Sequence, residues 1–297
     1  MSTISLICST LGNRIYELER LLSSIKESLF QKEDMQIIVV NQNPNSQDIL
    51  PLINRYKNDL NLMVINQAEK GLSKGRNYGF EFSEGDIIAF PDDDCWFPPD
   101  FFINLFNAFE LYSADIILGS IHDPIKDIVY PGHKKYNGKN VKKMSKNDLF
   151  YGLSISSFFK KNVLGDLKLF EGYLFDENLG AGSYFGSGEE TDIIFRLLKK
   201  GAKAYIIPTL KIYHKVEDNF FTESSKVRSY ARGVGALAKK HKSYVTYKYY
   251  IEIAIKSLAA SIIRGAKNKD AFNYYLSRFK GLIDGYKAWP NSQDNQI

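Results

Sequence analysis

The sequence predicts an α/β fold, a doubly wound and mostly parallel sheet with a C-terminal helical extension. Through the first half of the chain, short apolar runs alternate with amphipathic patterns of helical period, the order expected for parallel strands with helices on both faces. From residue 220 onward only helical patterns follow. The 297 residues are enough for one large core and an appendage. We therefore predict two domains, 1–219 and 220–297.

The predicted strands and helices follow from the spacing of apolar residues. Apolar runs predict strands at 4–8, 37–40, 62–65, 87–90, 116–118 and 210–213. Helical spacing predicts helices at 15–29, 49–56, 72–82 and 99–111, one beginning near residue 189, and three more at 227–239, 244–264 and 271–286. The first helix carries an apolar stripe expected in the core: Leu18, Leu21, Leu22, Ile25 and Leu29. The Lys-rich stretch from 122 to 146 lacks periodicity, which predicts an irregular surface excursion.

Composition and charge limit the class of protein. With 44% hydrophobic and 25% charged residues, the chain is typical of a globular protein. Its two cysteines, Cys8 and Cys95, cannot form a disulfide framework, and the N-terminus enters a strand without a basic leader, so a cytoplasmic location is expected. Residues 223–289 hold 14 Lys and Arg against 4 Asp and Glu. This basic segment is interpreted either as a peripheral membrane surface or as a solvated helical cap.

Three consecutive carboxylates, Asp92, Asp93 and Asp94, directly follow the apolar run that ends at Phe90. Such residues at a strand's carboxyl end repel one another unless a cation lies among them, and oxygen ligands suit Mg²⁺ or Mn²⁺. Ligands of open α/β sheets bind at this edge, so the cation is expected to hold a diphosphate. No dinucleotide glycine motif or Walker lysine loop is present in the sequence.

Four blocks in order make the chain similar to family-2 glycosyltransferases of the GT-A type, the inverting family that builds bacterial polysaccharides. They are Ile7-Cys8-Ser9-Thr10, Gly71-Leu72-Ser73-Lys74-Gly75-Arg76-Asn77-Tyr78-Gly79, Ala89-Phe90-Pro91-Asp92-Asp93-Asp94 and Gly188-Glu189-Glu190-Thr191-Asp192. The second resembles the family's Gly-Leu-Ser-x-Ala-Arg-Asn-x-Gly, the third its Asp-x-Asp and the fourth its Glu-Asp helix start. The resemblance implies transfer of a sugar from a nucleotide diphospho-sugar, expected to be a UDP-sugar, to a glycan or lipid-linked oligosaccharide.

The resemblance also implies roles for individual residues. Those expected to bind the nucleotide or donor are Ser9, Thr10, Asn77, Asp92 and Asp93. Asp94 is the expected ligand of Mn²⁺ or Mg²⁺, with Asp92 and His214 as further candidates. Lys74 and Arg76, near a helix start, are expected to offer positive charge to the phosphates.

An inverting transfer needs a general base, because the acceptor hydroxyl is a poor nucleophile until it loses its proton. Glu190 is the predicted base, and Glu189 is predicted to hydrogen-bond the acceptor or to orient the base. Before them, residues 180–188 contain four glycines, which predict a pliant loop able to close over an acceptor.

One block departs from the family, which places an acidic Asp-Asp-Gly-Ser type segment after the second strand. This chain has Asn41-Gln42-Asn43-Pro44 there. The amides of Asn41 and Gln42 can still pair with a base edge, since an amide both donates and accepts hydrogen bonds. A sugar-1-phosphate nucleotidyltransferase and a non-catalytic binding subunit of the same fold remain open alternatives, and no nucleic-acid partner is predicted. The enzyme is expected in the cytoplasm, with peripheral contact at the inner face of the plasma membrane left open.

Overall fold

The computed structural model describes residues 3–44, 49–216 and 224–290, which divide into two units. The first unit comprises Met1–Lys70, Lys74–Phe175 and Ile193–Val216, and the second comprises Gly71–Ser73, Asp176–Asp192 and Glu217–Ile297, as far as these residues are described. The last division lies close to the predicted boundary at 219. Two short segments of the predicted catalytic domain group with the C-terminal helices, so the domain assignment stays a prediction.

The first unit contains one sheet, and six of its ten strands overlap apolar runs that were predicted as strands. Its strands are β1 (Ile4–Thr10), β2 (Met35–Asn41), β3 (Asn61–Asn66), β4 (Ile87–Ala89), β5 (Cys95–Trp96), β6 (Ile116–Asp123), β7 (Ile128–Val129), β8 (Lys142–Lys143), β9 (Ser157–Lys160) and β10 (Ala204–His214). The order is β3-β2-β1-β4-β9-β6-β10-β5, with β7 beside β6 and β8 beside β10. The pairs β3-β2, β2-β1, β1-β4 and β6-β10 are parallel. The mostly parallel α/β sheet is therefore confirmed.

Eight of the nine helices of the described residues overlap helices predicted from the sequence pattern, and α5 was not predicted. They are α1 (Ile15–Lys26), α2 (Ile49–Tyr56), α3 (Leu72–Phe80), α4 (Phe101–Tyr112), α5 (Lys161–Glu171), α6 (Glu189–Lys199), α7 (Ser224–His241), α8 (Tyr244–Gly265) and α9 (Lys269–Ala288). In α1 the predicted apolar stripe is buried from Leu18 to Ile25. Leu29 is the exception: the helix ends at Lys26, and Leu29 is 68% exposed. Its placement in the core was wrong, because the apolar spacing continued past the helix end.

Two features of the sheet were not foreseen. Strand β9 lies between β4 and β6 and is antiparallel to both, which interrupts the parallel order at the centre. The Lys-rich stretch is also more ordered than the predicted irregular excursion: it contains β7, β8 and a 3₁₀ helix at Pro131–Tyr136. Buried Asp148 holds its end, since Lys142 Nζ lies 2.7 Å from both carboxylate oxygens and the Tyr136 hydroxyl donates to one of them.

In the second unit, α7, α8 and α9 pack on one another, and glycines allow α7 and α9 to approach closely. A Cβ built at Gly285 would lie 2.0 Å from the carbonyl oxygen of Arg232, and one at Gly235 would lie 2.1 Å from that of Leu282. Such distances exclude any side chain at these positions without separating the helices. Among the helices of the described ranges, none has the length and hydropathy of a membrane span.

Candidate active site

The carboxyl ends of β1 and β4 place Thr10 beside the acidic run. Strand β1 lies between β2 and β4. The chain passes from β1 to β2 on one side and, after β3, to β4 on the other side, so this edge is the kind of switch point where α/β sheets bind ligands. Because Ala89 of β4 pairs with Leu6, the residues after β4 run level with the end of β1. Thr10 Oγ1 donates a hydrogen bond to Asp93 Oδ2 at 2.7 Å. Burial raises the pKa of Asp93, and the bond from Thr10 opposes that rise.

A second strand pair brings His214 to the same carboxylates. Strand β5 pairs with the end of β10, with Cys95 opposite His214. His214 Nε2 lies 3.2 Å from Asp94 Oδ1. Burial lowers the pKa of His214, but the hydrogen bond and charge of Asp94 outweigh it and the pKa is raised. The pKa of Asp94 is lowered: burial acts to raise it, but the hydrogen bond and charge of His214 outweigh burial. The structure thus brings two of the three predicted metal ligands into contact.

Arg14 is a residue of this edge that the sequence analysis did not single out. It lies directly before α1, is 51% exposed, hydrogen-bonds Asp94 Oδ2 and reaches Asp93 Oδ1 at 3.4 Å. Arg20 follows on α1, donates to the Asp94 carbonyl at 2.9 Å and stacks 3.7 Å above the Trp96 ring. Two arginines therefore offset the charge of the acidic run. A basic residue soon after the first strand was the only sequence indication.

Asp92 is held by a buried arginine. Arg76 is 1% exposed and its Nη2 donates to Asp92 Oδ1 at 2.9 Å. This geometry gives Arg76 a positioning role toward Asp92, whereas the sequence placed it against the donor phosphates. Lys74 is more accessible, with its Nζ 2.5 Å from Glu69 Oε2. The assignment of both residues to the diphosphate stays a prediction.

Asn77 fixes the segment that follows α5. Its Nδ2 donates to the Phe175 carbonyl at 2.9 Å, and its Oδ1 accepts from the Phe175 N–H at 2.8 Å. Both ends of the amide are therefore engaged by one backbone residue. This arrangement supplies a structural reason for the asparagine, and its predicted contact with the donor stays a prediction.

The predicted nucleotide-contacting residues Ser9 and Gln42 lie together at the ends of β1 and β2. Ser9 Oγ donates to Gln42 Oε1 at 3.1 Å, and Gln42 Nε2 donates to the Glu69 carbonyl at 2.8 Å. Helix α3 approaches this pair through Gly75, where an added Cβ would lie 2.1 Å from Ser9 Oγ and 3.1 Å from Gln42 Nε2. Asn41, also predicted to contact the base, is buried and donates to Asn66 Oδ1 at 3.1 Å.

The donor set at this edge fits a divalent cation that also binds a diphosphate. Among residues 3–44, 49–216 and 224–290, no group of three or more His, Cys, Asp and Glu side chains is arranged as a metal site. Asp94 and His214 nevertheless offer a carboxylate and an imidazole 3.2 Å apart. Mg²⁺ and related cations commonly take one or two protein carboxylates and complete their shell with phosphate oxygens and water. Asp92, the third predicted ligand, instead accepts from Arg76.

The predicted base and its neighbour open α6 in the second unit. Glu189 is buried and Glu190 is half-buried. The loop before them bends through four glycines with positive φ, Gly180, Gly182, Gly186 and Gly188. At Gly180 an added Cβ would lie 3.1 Å from the Glu189 carboxyl carbon. Glycine is therefore required here by backbone conformation and close packing, and the predicted closure of the loop stays a prediction.

The start of α6 is anchored to α7 within the second unit through Asp192. Asp192 is completely buried, with Lys240 Nζ 2.8 Å and His241 Nε2 2.9 Å from its Oδ1. Lys240 also lies 2.6 Å from Asp176 Oδ2, in the segment that leads to the glycine loop. The basic end of α7 thus fixes the helix start that carries both glutamates, a contact that helical spacing could not reveal.

The fold and the residues at its carboxyl edge define a glycosyltransferase of the GT-A type. The S. aureus TarS fragment 1–349 in complex with UDP-GlcNAc has a similar fold, with a TM-score of 0.61 and 17% identity over 96% of this chain and 89% of that one. The mannosyltransferase PcManGT of Pyrobaculum calidifontis, in complex with GDP-Man and Mn²⁺, gives a TM-score of 0.65 at 13% identity, covering 96% and 87%. At these identities the likeness concerns the fold.

The sequence profile of glycosyl transferase family 2 matches residues 7–173, more than half of the chain. The protein therefore belongs to glycosyl transferase family 2. Among curated relatives, it is 25% identical over 238 residues to the poly(ribitol-phosphate) β-N-acetylglucosaminyltransferase TarP of Staphylococcus aureus, covering 79% of this chain and 68% of TarP. The family membership predicted from the four sequence blocks is confirmed.

Proposed function

We propose that this glycosyltransferase moves a sugar from a UDP-sugar to a glycan or lipid-linked oligosaccharide, with inversion, in the assembly of a cell-surface polysaccharide. The observation that carries the proposal is the clustering of Asp93, Asp94, His214 and Arg14 at the switch-point edge, beside the Ser9–Gln42 pair. This edge combines oxygen and nitrogen donors with positive charge, which is the chemistry that a nucleoside diphosphate requires.

Asp94 and His214 would hold Mn²⁺ or Mg²⁺, and Asp92 is the further candidate. When bound, the cation supplies Lewis-acid stabilisation of the departing diphosphate. Arg14 would remain close enough to add charge to the same oxygens, because its guanidinium already contacts Asp94. The Mn²⁺ in the PcManGT complex supports a divalent ion in this fold.

Ser9, Thr10 and Gln42 would position the nucleotide at the ends of β1 and β2, with Asn41 behind them. The hydrogen bond between Ser9 and Gln42 preorganises two polar groups before a ligand arrives. Preorganised donors and acceptors lose little entropy on binding. UDP is the proposed nucleotide, supported by the UDP-GlcNAc complex of the similarly folded TarS fragment.

Glu190 would act as general base. Its carboxylate takes the proton of the acceptor hydroxyl as that oxygen attacks the anomeric carbon, while the bond from that carbon to the diphosphate oxygen breaks. One displacement of this kind inverts the anomeric configuration. Glu189, buried at the same helix start, would orient Glu190 or the acceptor.

The acceptor is proposed to be a polymer of the cell envelope. TarP acts on poly(ribitol-phosphate) according to its name, and the minor teichoic acid biosynthesis protein GgaB of Bacillus subtilis is 25% identical over 218 residues, although the chain spans 22% of its length. We place the enzyme in the cytoplasm at the inner face of the bacterial plasma membrane, and the basic segment 223–289 supports this location, since it is complementary to anionic headgroups.

The test is to incubate the protein with a panel of sugar nucleotides and acceptors in the presence of Mn²⁺, Mg²⁺ or EDTA and to analyse the products. Release of UDP and a product of inverted anomeric configuration, measured by NMR, are expected. Release of pyrophosphate from a nucleoside triphosphate would instead support a sugar-1-phosphate nucleotidyltransferase. Binding of sugar nucleotides without transfer or hydrolysis under any condition would support a non-catalytic subunit.

A further inference from the structure

Helix α8 exposes large apolar side chains and buries small polar ones, the reverse of the usual pattern for a helix packed on a soluble domain. Its buried residues are Thr246, Ser257 and Ser261. Four apolar residues at spacing i, i+4, i+7 and i+11 form one outward face, which we call the α8 stripe: Ile251, Ile255, Leu258 and Ile262. Their exposed fractions are 50, 63, 43 and 65%. Contiguous exposed apolar surface of this kind marks a binding face.

Positive charge surrounds the α8 stripe. From residue 244 to 269 the chain holds five Lys and Arg and a single acidic residue, Glu252. Lys248 and Lys256 flank the stripe with exposed fractions of 53 and 70%, and Lys267 and Lys269 are exposed beyond its C-terminal end. An apolar face bordered by cations is complementary to a surface with an apolar interior and anionic headgroups.

Two residues on the same face favour a lipid surface over a second copy of the chain. Lys248 lies three residues before Ile251 on the outward face, so a helix packed there would have to desolvate its ammonium group. At a bilayer the same side chain extends its charge to the headgroups. Tyr244, 78% exposed at the helix start, has the apolar ring and polar hydroxyl typical of membrane interfaces.

We propose that the α8 stripe lies in the headgroup region of an anionic lipid bilayer, with the helix parallel to the membrane plane. This inference rests on the membrane location in the proposed function and assigns that location to one face. Helix α8 has 22 residues, and its exposed apolar side chains enter the acyl boundary while the flanking lysines contact phosphate groups.

The experiment is flotation of the full chain with phosphatidylcholine vesicles, with and without one-third phosphatidylglycerol. The intact protein is expected to float with the anionic vesicles. The Ile255→Ser, Ile262→Ser double variant should bind them at least tenfold more weakly. A matched double variant on α5, Leu169→Ser with Phe170→Ser, replaces side chains that are 80 and 72% exposed and should bind as the intact protein does.

The contribution of the lysine charges to vesicle binding is tested with separate variants. Lys256→Gln and Lys267→Gln should each weaken binding to the anionic vesicles about fivefold, from about 1 kcal/mol per cation near such a surface, and should not alter binding to pure phosphatidylcholine. Because all substituted groups are exposed, circular dichroism and the melting temperature should be unchanged.

Two results would overturn the proposal. One is equal flotation of the stripe variant and the α5 control. The other is an intact protein that dimerises in sedimentation analysis, loses dimerisation in the stripe variant and never binds vesicles, since the stripe would then be an interface between copies. UDP-sugar binding measured in parallel separates the two proposals, because the stripe variants should retain it.

Discussion

Replacing Gly75 by alanine should weaken donor binding while leaving the fold intact. The new Cβ would lie 2.1 Å from Ser9 Oγ, so the Ser9 hydroxyl must rotate away and its 3.1 Å bond to Gln42 is lost. The loss of that bond costs about 1 kcal/mol, and alanine in a helix interior regains about 1 kcal/mol. The free energy of unfolding should therefore change by less than about 1 kcal/mol. The family pattern that this chain resembles has alanine at this position, so the glycine is a feature of this chain.

Donor affinity should respond differently, because the displaced Ser9 hydroxyl is proposed to contact the nucleotide. Loss of one such hydrogen bond, about 1 kcal/mol, corresponds to about fivefold weaker binding. Titration calorimetry of the UDP-sugar with Mn²⁺ measures this value. Gly165→Ala on α5, where an added Cβ meets nothing within 4 Å, is the matched control and should not change affinity.

A double-mutant cycle shows whether the effect passes through Ser9. Ser9→Ala alone should also weaken binding about fivefold, and Gly75→Ala added to it should weaken binding less than about twofold, because the hydroxyl that clashed is gone. Equal effects of Gly75→Ala in the two backgrounds would refute this reasoning. An unchanged affinity of the single Gly75→Ala variant would remove Ser9 from the donor site.

Three further predictions concern the base, the helix packing and a buried histidine. Glu190→Gln should lower kcat by about 10²- to 10⁴-fold with donor affinity unchanged, whereas Glu177→Gln, an exposed neighbour in the same unit, should retain activity; an active Glu190→Gln enzyme would reject the base. Gly285→Ala should lower the free energy of unfolding by about 1–3 kcal/mol, as urea unfolding would show, while Gly165→Ala should leave it equal or raise it by about 0.5–1 kcal/mol. Burial lowers the pKa of His133 from 6.5 to about 4. As the pH drops, the unfolded chain therefore binds a proton at His133 before the native chain does. The free energy of unfolding should fall by about 2 kcal/mol between pH 8 and pH 5. An NMR titration showing native His133 protonated near pH 6.5 would contradict this.

Much of the parallel part of the sheet could be predicted because β1, β2 and β4 are buried on both faces and are therefore continuous apolar runs. Strand β9 could not be placed in the same way. Its sequence, Ser157 to Lys160, does not specify that it pairs antiparallel with two distant strands. Leu29 shows the converse error, since helical spacing alone does not mark where a helix ends.

The residues of the candidate site that lie at strand ends could be predicted from the sequence. Residues that reach the site through a long side chain from another element were missed. Asp94 and His214 each lie at a strand end, so their approach follows from the sheet. Arg14 reaches the same carboxylate from the residue before α1, which no period in the sequence indicates. The burial of Arg76 likewise depends on the face that α3 turns inward. The outward face of α8 could not be assigned from its apolar spacing, because a helix face that packs in a protein core has the same spacing.

Asp94 and His214 are proposed to bind a divalent ion that holds the donor diphosphate. Calorimetric titration of a UDP-sugar in Mn²⁺ and in EDTA measures this role, with the variant Asp94→Asn and the control Asp100→Asn at the exposed residue directly before α4. We predict at least tenfold tighter binding with Mn²⁺ for the intact protein and for Asp100→Asn, and no gain from Mn²⁺ for Asp94→Asn. Equal affinity in Mn²⁺ and EDTA for the intact protein would contradict the account.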